Sequence, residues 1–244
     1  MNTSNFNKKK IAILFFGLTR SLKNVYPSLK TNIFDVLDDN NIEYDIFMHT
    51  YVLPNPYINP YVNTKIENYD NESYKLLNPK YYILENQNKA EQKLHISKYF
   101  SKLSDWAGCA KTIEQQCFFV RNMVLAQHSK KMVTKLFNEY KDNYDYVMFT
   151  RPDQELHNKI NPVMFNFLDN NNIIIPKEHS YLGINDRLCI ATPYIGIIYG
   201  NSFYFLLSYS EKKSIISEVF LKEYLQFNNI HIIYSPITAT LIRI

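Results

Sequence analysis

Residues 145–155, DYVMFTRPDQE, join an apolar run directly to a cluster of charge. Residues 144–150 have the length and composition of a buried β-strand. Pro152 cannot donate to a strand ladder, so we expect the strand to stop there and Arg151 and Asp153 to lie at the edge of a sheet. A guanidinium and a carboxylate in that position favour a binding site for an anionic ligand. The alternative is a surface ion pair, worth only ~0–1 kcal/mol.

Outward from this stretch, strand patterns alternate with helix patterns. Alternation of this kind predicts a single α/β domain with a mostly parallel central sheet flanked by helices. Further strands are predicted at residues 10–17, 44–49, 80–84, 172–176, 230–234 and 238–244, and helices at 21–39, 85–104, 112–140, 194–209 and 211–227.

Composition limits the class of protein. The chain has 244 residues, 46% of them hydrophobic and 15% aromatic, which suits one large packed core and excludes general disorder. We expect a flexible tail over residues 1–9, a single domain over 10–244, and a loop or lid over 52–79, where prolines stand at 54, 56, 60 and 79. The formal charge of +4 is spread along the chain, so no nucleic-acid partner is predicted.

Two further features concern the cell compartment. The apolar run at residues 11–18 is too short to span a membrane, which needs ~20 residues. The three cysteines, Cys109, Cys117 and Cys189, form no C-x-x-C pair, so neither a disulfide framework nor a zinc knuckle is predicted. A cytoplasmic protein without a transmembrane segment is the simplest expectation.

Polar residues that directly follow predicted strands are the candidate site, because ligands bind beyond the carboxyl ends of parallel strands. The turn Gly17-Leu18-Thr19-Arg20 follows the first strand and opens a helix, a combination suited to phosphate. It has neither the G-x-G-x-x-G nor the G-K-[ST] spacing of the common nucleotide-binding loops. His49 and Thr50 follow the second strand, where they either contact a ligand or cap the sheet.

Two carboxylates extend this set of candidates. Asp153 offers hard oxygens for a divalent cation or for ribose hydroxyls. Asp186, which follows the Gly-containing segment 181–185, is placed either as a general base or as a turn residue that caps the next element.

In their order and spacing these segments resemble a group of small GT-A-like glycosyltransferases found in bacterial surface-polysaccharide clusters and in large DNA viruses. The resemblance covers residues 10–209 and depends on GLTR (17–20), DIFMHTY (45–51), the segment ending in TRPD (150–153), IIIP (173–176) and GINDR (183–187).

The resemblance implies transfer of a sugar from a nucleotide-sugar donor to a hydroxyl group of a glycan. It implies Arg20 near the donor nucleotide, Asp186 as the base, and Asp153 as the acid that contacts either a cation, Mn²⁺ or Mg²⁺, or the ribose. Together with the residues that follow the strands, the predicted catalytic set is Asp186, Asp153 and Arg151, and the predicted donor-binding set is Gly17, Thr19, Arg20, His49, Thr50, Arg151 and Asp153.

The sequence departs from the family pattern at three positions. Tyr51 stands where Trp is common, Pro152 lies between Arg151 and Asp153, and Arg151 replaces the first acid of the usual D-x-D motif. Arg151 is then the group expected to supply positive charge to the departing diphosphate in place of a metal.

Other functions stay open at this level. A non-catalytic glycan- or nucleotide-sugar-binding module would keep the grooves of the fold without its chemistry. A nuclease would combine Pro152-Asp153 with the E-x-K of Glu211-Lys212-Lys213, which lies in a predicted helix almost sixty residues on.

Overall fold

The computed structural model describes residues 8–59, 64–106 and 108–243, and its centre is a seven-stranded sheet. The strands of the described chain are β1 (Lys10–Phe16), β2 (Glu43–Val52), β3 (Tyr57–Asn59), β4 (Thr64–Ile66), β5 (Tyr81–Asn86), β6 (Tyr146–Thr150), β7 (Gln154–Leu156), β8 (Asn172–Pro176), β9 (Leu188–Ala191), β10 (His231–Ser235) and β11 (Ala239–Leu241). The order in the central sheet is β10-β8-β9-β6-β1-β2-β5, while β11 pairs with β7 and β3 with β4 in two small sheets.

The central sheet is mostly parallel. β1 pairs in parallel with both β2 and β6, β2 pairs in parallel with β5, and β8 pairs in parallel with β10. Only β9 runs the other way, antiparallel to β6 and β8. The carboxyl ends of six strands therefore meet at one edge of the sheet, together with the amino end of β9. The predicted α/β class with a largely parallel sheet is confirmed.

Helices cover both faces of the sheet. They are α1 (Leu22–Leu29), which continues through a π-helical turn (Lys30–Phe34) into α2 (Asp35–Asp39), then α3 (Gln87–Leu94), α4 (Ile113–Asn138), α5 (Pro193–Gly200), α6 (Phe203–Ser210) and α7 (Ser217–Phe227). The long helix α4 begins with a capping box, in which the side chains of Thr112 and Gln115 bond each other's backbone N–H groups. None of the helices in the described ranges is both long and apolar enough to cross a bilayer.

The alternation of side chains along β1 explains why this strand is apolar throughout. Ile11, Ile13 and Phe15 lie in the core on the face that α1 and α2 cover. Leu14 and Phe16 lie in the core on the opposite face, which α4 and α5 cover. Burying such a side chain stabilises the fold by roughly 1.5–3 kcal/mol, so a two-sided central strand contributes strongly to stability.

The helical predictions differ from the structure in three places. The helix predicted at 85–104 is only α3, which ends at Leu94 and is followed by a 3₁₀ turn, Ile96–Tyr99. The helix predicted at 194–209 is two helices, α5 and α6, separated at Asn201 and Ser202. The helix predicted at 211–227 begins only at Ser217.

The remaining differences concern strands and loops. The strand predicted at 238–244 corresponds to β11. It pairs with β7, which was not predicted from the sequence, and it does not pair with the central sheet. The segment predicted as a loop or lid at 52–79 holds the hairpin β3–β4 and a 3₁₀ turn, Ser73–Leu77, with residues 60–63 outside the described ranges. Most of the tail predicted at 1–9 also lies outside the described residues, since the description begins at Lys8.

Candidate functional site

Three charged side chains meet where β1 and β6 end. Arg151 donates to both carboxylate oxygens of Asp153, from Nε to Oδ1 at 2.8 Å and from Nη2 to Oδ2 at 2.7 Å. Arg20, from the turn after β1, donates to Oδ2 of the same carboxylate at 3.1 Å. Asp153 is fully buried, and the side chains of Arg20 and Arg151 are 11% and 19% exposed. We call these three residues the arginine–aspartate triad.

Local backbone features bring the triad together. Gly17 has a φ of +105°, which only glycine adopts readily, and this conformation turns the chain away from β1. Thr19 is buried, and its carbonyl accepts from the N–H of Leu22 at the start of α1. Pro152 ends β6, so Asp153 lies between β6 and β7.

Ile242, the residue directly after β11, links the two loops of the triad. The backbone N–H of Ile242 donates to the carbonyl of Asp153 at 2.9 Å. The carbonyl of Ile242 accepts from the hydroxyl of Ser21 at 2.6 Å. Ile242 therefore links the loop that carries Asp153 to the turn that carries Arg20.

The electrostatics of the triad favour an anion over a cation. Burial alone would raise the pKa of Asp153, but Arg151 and Arg20 lower it below its usual value, so the carboxyl group is ionised. The three groups then carry a net charge of +1, and both carboxylate oxygens already accept guanidinium hydrogen bonds. A divalent cation at Asp153, as the sequence suggested, does not fit this arrangement.

Asp186 belongs to the same cluster of charge. It precedes β9, whose amino end lies at this edge of the sheet, and its carboxylate accepts a short hydrogen bond from the hydroxyl of Ser217. Burial alone would lower the pKa of Arg151, but Asp153, with a further contribution from Asp186, raises it. The structure thus brings Arg20, Arg151 and Asp153 into contact and places Asp186, just before β9, at the same edge of the sheet.

A second carboxylate beside Asp186 was not found from the sequence. Glu218 stands at the start of α7 and is only 8% exposed. Burial, and then the negative charge of Asp186, raise its pKa to about 7. Gly183 allows this close packing, because a Cβ on Gly183 would lie 2.0 Å from the backbone carbonyl of Glu218. In the sequence Glu218 resembles any acidic residue in the first turn of a helix.

Lys130 is a second charged residue that sequence reasoning missed. Its side chain is buried on α4, and Nζ lies 4.0 Å from the centre of the Tyr199 ring with no hydrogen-bond partner among the described residues. Burial lowers its pKa to about 8, although Cys189 and Asp186 act in the opposite direction. Residues 127–131 read QHSKK, a polar run in which the sequence gives no sign that Lys130 is the buried charge.

His49 and Thr50 are inside β2 and are buried. The imidazole of His49 faces Ser129 of α4 and Glu85 of β5, and not the arginine–aspartate triad. His49, Glu85 and His128 each offer a ligand atom, and these atoms lie within 4.8 Å of one another, so this trio is where the described residues can hold a metal ion. The predicted contacts of His49 and Thr50 with a donor stay predictions.

Two shallow surface cavities lie elsewhere. One, of about 480 Å³, is lined by residues that include Lys10, Glu43 and Asp45 at the amino ends of β1 and β2. The other, of about 390 Å³, lies between the end of α4 and the start of α5. Neither of these two cavities borders the triad.

The E-x-K residues of the nuclease alternative are not part of this cluster. Glu211 caps the carboxyl end of α6, and Lys213 is exposed and forms an ion pair with Glu223 at 2.7 Å.

No protein-family model and no curated protein matches the sequence. Among solved structures, the chain is similar to mouse xyloside xylosyltransferase 1 in its apo form, with a TM-score of 0.43 and 10% sequence identity. The match covers 91% of this chain and 83% of that chain. At this level of similarity we base no functional argument on the match.

Proposed function

We propose that the protein is a nucleotide-sugar-dependent glycosyltransferase that transfers a sugar to a hydroxyl group of a glycan acceptor. One observation carries the proposal: two guanidinium groups are held against one buried carboxylate at the carboxyl edge of a parallel sheet, with a second carboxylate, Asp186, beside them. This edge is where α/β sheets bind ligands. A cluster with positive charge at one side and carboxylates at the other matches the two needs of glycosyl transfer.

The positive side of the cluster serves the leaving group. As the bond between the anomeric carbon and the diphosphate oxygen breaks, negative charge develops on the diphosphate, and Arg20 and Arg151 stabilise it. The Nε–H of Arg20 is buried and has no partner among the described residues. A phosphate oxygen at the edge would satisfy this donor, since an unpaired buried donor is costly.

The carboxylate side serves the acceptor. The acceptor oxygen forms a bond to the anomeric carbon and loses its proton to Asp186. Ser217 orients the Asp186 carboxylate by its hydrogen bond, and Glu218 provides a neighbouring group that exchanges protons near neutral pH. The anomeric configuration of the product distinguishes inverting from retaining transfer.

Asp153 has a positioning role in this proposal. It is fully buried between two guanidinium groups, so it orients Arg20 and Arg151 and does not itself contact the donor. The segment that contains the hairpin β3–β4 is proposed as the cover that excludes water from the site.

The test is a panel of UDP-, GDP- and CMP-sugars, each offered with glycan acceptors and without added metal. We expect one donor to raise the melting temperature and to yield a glycosylated product. Arg151→Lys is the diagnostic variant, because it keeps the charge but loses the two-point bond to Asp153. Stabilisation by a donor without any transfer or hydrolysis would favour the binding module over the enzyme, and no response to any donor would contradict both.

A further inference from the structure

A second cluster lies between β2, β5 and α4, on the other side of the Gly17 turn from the triad. Nε2 of His49 and Oε2 of Glu85 lie 3.3 Å apart, and Nδ1 of His128 lies 3.5 Å from the same oxygen. His49 is fully buried, while His128 and Glu85 are 8% and 16% exposed. Two nitrogens and one oxygen therefore converge on a small, nearly closed space.

Two of the three atoms lack a well-formed hydrogen bond within the described structure. Nε2 of His49 and Oε2 of Glu85 are buried and lie 3.3 Å apart without forming an aligned hydrogen bond, whereas Nδ1 of His128 also lies 3.0 Å from the hydroxyl of Tyr51. Buried polar atoms in native proteins nearly always have a partner, because leaving one unpaired costs about 1–3 kcal/mol. Two such atoms side by side, both able to donate a lone pair, indicate a shared ligand.

The distances suit a metal ion. Ligand atoms that bind one tetrahedral zinc at ~2.0–2.1 Å lie about 3.4 Å from each other. The two separations from Oε2 of Glu85, 3.3 and 3.5 Å, lie on either side of this value. Sites for Ca²⁺ and Mg²⁺ are built from oxygen ligands. Two imidazole ligands therefore favour a transition metal.

The surroundings of His49 support ligation through Nε2. Its other ring nitrogen, Nδ1, lies 2.8 Å from the hydroxyl of Ser129. That hydroxyl also accepts from the backbone N–H of Gly17 at 2.8 Å. A ligating histidine is usually held in this way by a hydrogen bond at its second nitrogen. Oε1 of Glu85 lies on the side of Lys93, at 3.9 Å, which leaves Oε2 for the cluster.

We propose that His49, Glu85 and His128 form a binding site for one divalent transition-metal ion, with Zn²⁺ as the best match to two imidazoles and one carboxylate. Three protein ligands leave a fourth position for a water molecule or for a further group. The ion holds His49 in place and, through Ser129, supports the Gly17 turn from which Arg20 extends. The site is separate from Asp153 and does not depend on the proposed transferase activity.

The experiment uses the untagged full chain, stripped with a chelator and titrated with Zn²⁺ against a competing chelator dye. We expect one equivalent of Zn²⁺ per chain. Loss of an outer-shell partner alone weakens metal binding by about 10–100-fold, so His49→Gln, Glu85→Gln and His128→Gln should each weaken it at least tenfold. The matched control is His157→Gln, since His157 is exposed and bonds only the hydroxyl of Thr240 in the described structure.

A second measurement keeps the test decisive if the His49 variant does not fold. X-ray absorption of the zinc-loaded wild-type chain should count two imidazoles and one carboxylate around the metal. A wild-type chain that takes up no Zn²⁺ in competition with the dye, a ligand sphere without imidazole, or folded Glu85→Gln and His128→Gln variants with wild-type affinity would overturn the proposal.

Discussion

Asp153 and Arg151 are joined by two hydrogen bonds, at 2.8 and 2.7 Å, although only one residue separates them in the chain. The pair closes a tight loop after β6, and the same carboxylate reaches across to Arg20 at 3.1 Å. One buried carboxylate thus fixes two guanidinium groups that come from distant parts of the sequence. Both the stability of this edge and the proposed chemistry depend on the Asp153 carboxylate.

Asp153→Asn should destabilise the fold as well as abolish transfer. Removing one partner of a buried ion pair typically costs about 3–5 kcal/mol. Urea denaturation should show the loss as a lower midpoint. Asp142→Asn is the control, because Asp142 is 91% exposed and its removal should leave the midpoint unchanged. A normal midpoint for Asp153→Asn would mean that the triad is not formed in solution.

Asp186→Asn should leave the fold intact and reduce the rate of transfer. A positioned general base contributes about 10²–10⁴-fold to a rate, so kcat should fall by that factor once the donor is known. Ser217→Ala removes only the hydrogen bond that orients the carboxylate and should reduce kcat less. Equal kcat values for Asp186→Asn and the wild type would exclude Asp186 as the base.

Glu218 should make the stability of the protein depend on pH in the acidic range. Its pKa is raised from 4.5 to about 7 in the folded state, so the folded chain binds the proton more tightly than the unfolded chain. The contribution of Glu218 to the free energy of unfolding should therefore be largest below pH 4.5. It should fall by about 3 kcal/mol as the pH rises to 7.

The test of this pH dependence is a comparison with Glu218→Gln, which cannot ionise. The range from pH 5 to pH 8 brackets the pKa of about 7. In urea denaturation over this range, the free energy of unfolding should decline less for the variant than for the wild type. Parallel curves for the two proteins would show that Glu218 is not desolvated in solution.

Lys130→Met should stabilise the protein at neutral pH. The pKa of Lys130 is lowered from 10.5 to about 8, so burying the charged amine is unfavourable, and the ring of Tyr199 offsets this only in part. Removing the charge should raise the free energy of unfolding at pH 7 by roughly 1–3 kcal/mol.

The pH profile supplies the check on Lys130. In the wild type, stability should rise between pH 8 and pH 10.5 as the native amine loses its proton first, and this rise should be absent in Lys130→Met. Lys135→Met, also on α4 but outside the buried positions, is the control and should change neither value. A destabilised Lys130→Met would indicate a partner for the amine that the described residues do not include.

Regular elements could be predicted where burial makes the sequence periodic. β8 was predicted with its observed bounds, because Ile173, Ile174 and Ile175 are all fully buried in a two-sided sheet. The contact of Arg20 and Arg151 with Asp153, and the placement of Asp186 at the same edge, agree with a rule of topology, since each residue lies just beyond the carboxyl end of a strand or before β9. No side-chain geometry was needed for that prediction.

Other features depend on contacts between residues far apart in the chain and have no local signature. The pairing of β7 with β11 joins residues such as Glu155 and Thr240. β7 is too short to show a periodic pattern, and the strand predicted at 238–244 carried no sign of its partner. The proximity of Glu218 to Asp186 depends on how α7 packs against the loop at Gly183. His49 was predicted as a donor contact from its position after a strand pattern. Its neighbours Glu85 and His128 belong to β5 and α4, so their proximity to His49 has no local signature in the sequence.

The hydrogen bonds of Ile242 to Asp153 and Ser21 also constrain the order of events during biosynthesis. Ser21 and Asp153 are synthesised well before Ile242, so these two hydrogen bonds form only after nearly all of the described chain has been made. The charged edge is therefore complete only at the end of translation of this segment.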